Sequence, residues 1–136
     1  MERFRVTAGV ITDNDKVLIT KRAPKENFAG MWEFPGGKIE ANETPEDCLI
    51  RELKEELNID VSIIKFCTEA THDYGYMNIN LIAYYCTIND GMIRISVHDN
   101  YMWVKIIDLL EYDLLPADIS IAKKVMEDYY EQLLQI

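Results

Sequence analysis

The chain has 136 residues, of which 49% are hydrophobic and 28% are charged, and this balance is typical of one globular domain. Its formal net charge of −10 argues against a general affinity for nucleic-acid backbones or anionic membranes, because both are negatively charged. The sequence has no apolar run long enough to span a membrane, and its first residues lack the pattern of a signal peptide.

Hydrophobic periodicity and turn residues predict strands and helices in an uneven alternation along the chain. The first half predicts, in order, a strand over residues 3–11, a turn at 13–15, a strand over 17–21, a loop over 23–31 and a bend at 35–37. The second half predicts strands over 61–71 and 78–88 joined by a loop at 73–76, a hairpin turn at 89–91, strands over 93–97 and 101–105, and helices over 107–112 and 118–134. These elements indicate an α/β or α+β layered fold in a single domain over residues 1–136.

Between the two halves lies the segment with the strongest helix signals. Thr44 is a preferred N-cap residue, and Pro45 suits the first helical position. Leu49, Leu53 and Leu57 recur every four residues and form an apolar stripe. The pattern predicts a helix that ends at Leu57 and turns its other side chains away from the core.

Three glutamates of this helix, Glu52, Glu55 and Glu56, are separated by three and four residues, which places their carboxylates on one face. Like charges at these separations destabilise an isolated helix. Mg²⁺ and Mn²⁺ bind carboxylate and phosphate oxygens, so a divalent cation among the carboxylates would explain the cluster. A solvated acidic helix face is the alternative interpretation.

The stretch GKIEANETPEDCLIRELKEELNI, which begins at Gly37, resembles the Nudix box. This box is the signature of hydrolases that act on nucleoside diphosphates linked to another group. Glu43 and the run from Arg51 to Leu57 occupy the defining positions, and Asn58 stands where the family usually has glycine. A residue at that position is expected to be left-handed, which Asn tolerates best after Gly.

The resemblance implies a Nudix fold, in which a mixed β-sheet is sandwiched between helices. It also implies hydrolysis of a phosphoanhydride with Mg²⁺ as the cofactor, or Mn²⁺ in its place. The implied metal ligands are three carboxylates and one backbone carbonyl, those of Glu52, Glu55, Glu56 and Gly36. The resemblance also implies a structural role for three further residues, Gly37, Glu43 and Arg51. Arg51 is implied to hold the neighbouring carboxylates in place.

The general base is open between three residues. Many relatives carry a further glutamate in the loop before the strand that contains Trp103, but this chain has Asn100 at the matching position, and an amide is not a base. Asp99 is adjacent and could replace it. Glu52 could activate water directly, and His98 is the third candidate because histidine titrates near neutral pH.

The segment WEFPGGKIE resembles the MutT branch of the family closely. This resemblance implies that Arg22 contacts phosphate or nucleotide and that Phe34 lies in the nucleoside pocket. Lys38 lies beside the expected metal site and could offset phosphate charge. The alternative interpretations are a core position for Phe34 and ordinary surface positions for both cations.

The string Pro-Ala-Asp-Ile around Asp118 resembles the CTP pyrophosphohydrolase relatives. An ionised aspartate only accepts hydrogen bonds, which favours a base edge rich in donors, such as that of cytosine or guanine. The resemblance therefore implies that Asp118 contacts the base. The alternative is that Asp118 caps the last helix, since aspartate is a preferred N-cap residue.

The predicted function is Mg²⁺-dependent hydrolysis of nucleoside triphosphates, such as CTP, dCTP or 8-oxo-dGTP, to the monophosphate and pyrophosphate. This activity would sanitise the nucleotide pool. One alternative is a Nudix hydrolase of another nucleoside diphosphate derivative, such as ADP-ribose or a sugar nucleotide. The other is a sensor that binds a nucleotide without turnover, which Asn100 favours and the complete set of box carboxylates disfavours.

The expected partner is a small nucleotide, with neither a nucleic-acid polymer nor a membrane, and the expected assembly is a monomer or a homodimer. Cys48, Cys67 and Cys86 are isolated and odd in number, which indicates reduced thiols rather than a disulfide set or a zinc site. Cytoplasmic localisation is therefore expected.

Overall fold

The computed structural model describes residues 2–135, which form a mixed six-stranded sheet between two α-helices. The strands are β1 (Glu2–Asp13), β2 (Lys16–Arg22), β3 (Trp32–Glu33), β4 (Asp60–Asp73), β5 (Met77–Asp90) and β6 (His98–Lys105). The helices are α1 (Pro45–Leu57) and α2 (Pro116–Leu134), and a 3₁₀ helix (Ile106–Glu111) precedes α2. The predicted fold class is confirmed. Within the described residues, no helix has the length and apolar character needed to cross a membrane.

The long strand β1 connects the two halves of the sheet. It pairs in parallel with β5, from Glu2 opposite Met77 to Ile11 opposite Cys86, and its end forms an antiparallel hairpin with β2. β2 also pairs with β3 and β6, and β5 pairs antiparallel with β4. The order is therefore β3-β2-β1-β5-β4, with β6 paired to β2.

Both faces of the sheet are covered, so its central strands bury successive residues on opposite sides. The cluster beneath α2 includes Val10, Val17, Ile19, Ile121 and Val125. The cluster beneath α1 includes Ile11, Leu18, Leu49, Leu53 and Leu57. The predicted apolar stripe of α1 is confirmed, and the three cysteines are buried and free.

The helix α1 begins and ends as the sequence predicts. The Thr44 hydroxyl accepts a hydrogen bond from the Asp47 N–H at 3.1 Å, and Pro45 occupies the first helical position. Asn58 follows the helix with a φ of 60°, in the left-handed region, and its N–H donates to the Lys54 carbonyl at 3.1 Å. Asn58 therefore occupies the left-handed position at the end of the helix that glycine usually occupies.

The chain after β5 differs from the prediction. Residues 93–97 form no strand, and no hairpin turn forms at 89–91 because β5 continues to Asp90. The segment instead runs past the end of α1, where the last carbonyls of a helix lack partners within the helix. The Arg94 N–H donates to the Leu57 carbonyl at 2.9 Å. This tertiary hydrogen bond outweighs the local strand pattern.

The last helix also begins earlier than predicted. It begins at Pro116, because proline is favoured at the first helical position, and Leu115 occupies the N-cap. Asp118 therefore lies in the first turn, and its side chain makes no cap hydrogen bond. The alternative interpretation of Asp118 as an N-cap is wrong. The short helix predicted at 107–112 is a 3₁₀ helix that begins one residue earlier.

We expect Asn58→Ala to be less stable than Asn58→Gly by about 1 kcal/mol, because a Cβ disfavours the left-handed backbone that glycine adopts freely. Both variants lose the side-chain hydrogen bond to the Met92 carbonyl, so their difference isolates the backbone effect. Thermal unfolding of the two purified variants would measure it. Equal melting temperatures would contradict the prediction.

Candidate active site

A cavity of about 480 Å³ opens beside the bend at residues 35–37, and this volume suits a small ligand. Its walls come from β1, the end of β2 and the loop after it, β3, the bend, the end of α1, the loop between β4 and β5, the first half of β5, the start of β6 and the start of α2. The predicted site residues that line it are Arg22, Gly36, Gly37, Lys38, Glu56 and Asp118. The structure therefore brings together residues expected at the metal, the phosphates and the base.

Two of the box carboxylates lie beside the cavity rather than in its wall. The carboxylate of Glu52 rests directly on Gly37, where any Cβ would overlap it. The Glu55 side chain is 60% exposed. Glu56 is the box carboxylate that lines the cavity.

Arg51 organises the acidic residues of the box. Its Nε lies 2.7 Å from Glu43 Oε2, and its Nη2 lies 3.0 Å from the other oxygen of the same carboxylate. Its Nη1 donates to Glu52 at 3.0 Å and to Glu55 at 3.2 Å. A two-point guanidinium–carboxylate pair fixes orientation as well as charge. The structural roles predicted for Arg51 and Glu43 are consistent with these contacts.

The box carboxylates differ in their electrostatics. The hydrogen bonds from Arg51 lower the pKa of Glu43 from 4.5 to about 2. Burial raises the pKa of Glu56 to about 8, and the negative charge of Glu52 adds to the increase. Glu56 has no ion pair within residues 2–135. The site therefore presents a carboxylate whose ionised form lacks a nearby cation.

The donor set fits a hard divalent cation, since all of its atoms are carboxylate or carbonyl oxygens. The carboxylates of Glu52 and Glu55 are shared with Arg51 in this structure. Among the described residues, no three acidic, histidine or cysteine side chains converge as a ready-made metal site.

A carboxylate that the sequence did not single out lies in the same wall. Glu33 accepts from Arg22 Nη1 at 3.1 and 3.3 Å, and its Oε2 lies 3.2 Å from His98 Nε2. An ionised carboxylate only accepts, so His98 Nε2 carries the hydrogen of this bond. The Arg22 Nε donates to the Asn27 carbonyl at 2.6 Å. Arg22 is thus held by protein groups while it lines the cavity.

The three candidates for the general base occupy different places. His98 lines the cavity, and its side chain is only 6% exposed. Asp99 does not line the cavity; it is the unpaired residue of a β-bulge in β6, and its carboxylate is 4.0 Å from Lys21 Nζ. This geometry argues against the catalytic role predicted for Asp99. Glu52 stays adjacent to the bend.

The aromatic residues that line the cavity do not include Phe34, which the sequence analysis expected there. Phe34 is 3% exposed and belongs to the core cluster beneath α2, so its side chain does not line the cavity. The lining aromatics are Phe4, Phe28 and Tyr74. The rings of Phe28 and Tyr74 lie 5.2 Å apart, and Lys38 Nζ lies 3.9 Å from the Phe4 ring centre. This packing agrees with the core position that was the alternative interpretation of Phe34, and its place in the nucleoside pocket stays a prediction.

Asp118 joins the start of α2 to the chain just before the bend. It is 4% exposed, and its Oδ1 accepts a hydrogen bond from the Phe34 N–H at 2.8 Å. Burial raises the pKa of Asp118 well above its usual range, and the charge of Glu33 adds to the shift. A protonated carboxyl donates as well as accepts. The argument that Asp118 reads only donors therefore applies to its ionised form alone.

Comparison with known proteins decides the family. A family profile described as "NUDIX domain" matches residues 3–129. The chain belongs to the Nudix family. The predictions of the family and of a Nudix hydrolase are thereby confirmed, and the bend with α1 is its Nudix box.

Three similar proteins illustrate the relationship. The CTP pyrophosphohydrolase of Escherichia coli (strain K12) is 31% identical over 126 residues, which cover 93% of each chain. The 8-oxo-dGTP diphosphatase of Proteus vulgaris is 42% identical over 87 residues, which cover 63% of this chain and 78% of the relative. The solution structure of the E. coli ORF135 protein has a TM-score of 0.81 at 31% identity and covers 93% of this chain and 91% of that one. These relatives confirm the predicted MutT and CTP pyrophosphohydrolase-like branch.

We expect the stabilising contribution of Glu43 to depend on pH. Its folded-state pKa of about 2 lies below its ordinary value of 4.5, so the contribution is present above pH 4.5 and is lost as the pH falls toward 2. Glu43→Gln should therefore lower the melting temperature at pH 7 and have progressively less effect at lower pH. Thermal unfolding of both proteins in EDTA at pH 3, 5 and 7 measures this, and a pH-independent difference would contradict it.

Proposed function

We propose that the protein is a Mg²⁺-dependent pyrophosphohydrolase that converts a nucleoside triphosphate and water into the monophosphate and pyrophosphate. The observation that carries this proposal is that one cavity contains both Glu56 with the glycine bend and the buried Asp118. A site for metal and phosphate and a site for a base are thus within reach of one ligand. The names of the two relatives, CTP pyrophosphohydrolase and 8-oxo-dGTP diphosphatase, support the same reaction.

For the cation we propose Mg²⁺, with Mn²⁺ as a substitute. Its ligands would be the Gly36 carbonyl and the carboxylates of Glu52, Glu55 and Glu56. A bound cation withdraws charge from phosphate oxygens and lowers the pKa of its water. Lys38, which also lines the cavity, would offset the remaining phosphate charge.

The reaction itself needs a base and an oriented phosphate. Water attacks phosphorus, its proton passes to the base, and the anhydride oxygen leaves with pyrophosphate. The proposed candidates for the base are Glu52, which lies next to the bend, and His98, which lies in the cavity wall. Arg22, held by Glu33 and the Asn27 carbonyl, is proposed to contact the substrate.

At the other part of the cavity, we propose that Asp118 reads the edge of the base while the aromatic pair of Phe28 and Tyr74 contacts its face. Flat aromatic walls with one buried polar group are typical of base pockets. Cytosine and 8-oxoguanine nucleotides are the proposed substrates, which would make the protein a sanitiser of the cytoplasmic nucleotide pool. We propose that it acts as a monomer or a homodimer.

We expect the purified protein with Mg²⁺ to release monophosphate and pyrophosphate from at least one cytosine or 8-oxoguanine nucleotide. The panel is CTP, dCTP, 5-methyl-dCTP, dGTP, 8-oxo-dGTP, dATP, UTP and ADP-ribose, with products separated by chromatography. Turnover of ADP-ribose alone would contradict the proposed role of Asp118. Turnover of none of these compounds would favour a nucleotide sensor.

Glu56→Gln should lower the turnover number by about 100-fold or more, because loss of a charged ligand weakens the cation site. Its melting temperature without metal should not fall, since the neutral amide avoids both the burial of a charge and the repulsion from Glu52, which together raise the pKa of Glu56. Glu111→Gln, an exposed glutamate outside the cavity, is the matched control and should keep wild-type kinetics. Equal turnover by Glu56→Gln and wild type would contradict the assignment.

A further inference from the structure

The bend that contains Gly36 is hydrogen-bonded along β1. The Pro35 carbonyl accepts from the Gly9 N–H at 2.7 Å, and the Gly37 carbonyl accepts from the Thr7 N–H at 2.8 Å. The Gly36 carbonyl lies between these two and accepts no hydrogen bond from the described residues, so it is left for another partner.

Two buried side chains hold the peptides that follow Gly36. The Thr7 hydroxyl donates to the Gly37 carbonyl at 3.2 Å, and the Cys48 thiol lies within donating distance of the Lys38 carbonyl, at 3.3 Å, and of the Gly37 carbonyl, at 3.5 Å. The Thr7 oxygen and the Cys48 sulfur lie 3.4 Å apart. Thr7 is 1% exposed and Cys48 is fully buried, so water has little access to the two donor groups. Each side chain has one hydrogen to donate, and this arrangement uses both.

The bend is also enclosed by close packing on two sides. A Cβ on Gly36 would overlap the backbone of Thr7, and a Cβ on Gly37 would overlap the carboxylate of Glu52. Gly36 therefore has no room for a side chain, and a side chain at Gly37 would displace the Glu52 carboxylate. Glycine also loses more backbone freedom on folding than any other residue. A bend made of two glycines needs contacts from outside to keep a single orientation of its carbonyls.

We propose that Thr7 and Cys48 are positioning residues that keep the Gly36 carbonyl in the orientation in which it binds the divalent cation. This inference rests on the proposed function, because it takes the Gly36 carbonyl as a metal ligand. Neither side chain lines the cavity, so neither would touch the cation or the substrate. Their effect passes through the Gly37 and Lys38 carbonyls to the peptide between Gly36 and Gly37.

The test is direct titration with Mn²⁺ in the absence of substrate, with free Mn²⁺ followed by electron paramagnetic resonance. Thr7→Val keeps the shape and removes the hydroxyl, and we expect it to weaken Mn²⁺ binding about 10-fold, as loss of a group that orients a ligand does. Thr7→Ser restores the hydroxyl and should restore the affinity. Cys48→Ala should weaken binding by a smaller factor, because a thiol is a weak donor.

Thr20→Val is the matched control. Thr20 is also fully buried in a strand, and its hydroxyl donates to the Glu33 carbonyl at 3.3 Å, outside the bend. Its loss should lower the melting temperature by about as much as Thr7→Val does and leave the affinity for Mn²⁺ unchanged. The same comparison in the hydrolysis assay should show a higher metal requirement for Thr7→Val alone.

Wild-type affinity in both Thr7→Val and Cys48→Ala would overturn the inference and leave these residues a purely structural role. Equal weakening in Thr7→Val and Thr20→Val would overturn it too. If the wild type binds Mn²⁺ but hydrolyses no nucleoside triphosphate, the proposed function fails, while the affinities of the variants still decide the role of Thr7. If Thr7→Val does not fold, the comparison of Cys48→Ala with Cys48→Ser decides it, because serine retains a donor.

Discussion

The guanidinium of Arg51 is the contact on which the acidic helix depends. Three carboxylates lie within 3.2 Å of it, and they come from two parts of the chain, the loop before α1 and the helix itself. Without this cation, the like charges would repel one another and destabilise the helix. Because the pair with Glu43 is two-pronged, it also orients the loop relative to the helix.

The glycine bend connects the carboxylates held by Arg51 to the cavity. It lies between β1, which hydrogen-bonds its carbonyls, and α1, whose Glu52 carboxylate rests on Gly37. Neither contact leaves space for a Cβ, because Gly36 packs on the backbone of β1 and Gly37 packs on the side chain of Glu52. The same bend lines the cavity, which links the stability of the fold to the geometry of the site.

The cavity wall is acidic, as is the protein as a whole. The chain carries a formal charge of −10, and the acidic residues of the wall are Glu26, Glu33, Glu56 and Asp118. Two cations, Arg22 and Lys38, line the same wall. A divalent cation would supply the remaining positive charge, which explains how an acidic protein could hold a triphosphate that its overall charge would repel.

The sequence by itself determined the features that depend on local geometry. The caps of α1, its leucine stripe and the common face of its glutamates follow from helix periodicity, and the structure has all of them. Only the tertiary structure decided which residues that are distant in sequence contact each other. Residues 93–97 satisfy the end of α1 instead of forming a strand, and Phe34 packs in the core while Phe28 and Tyr74, from two separate loops, line the cavity. Such choices depend on which distant surfaces meet when the sheet forms, and no local pattern contains that information.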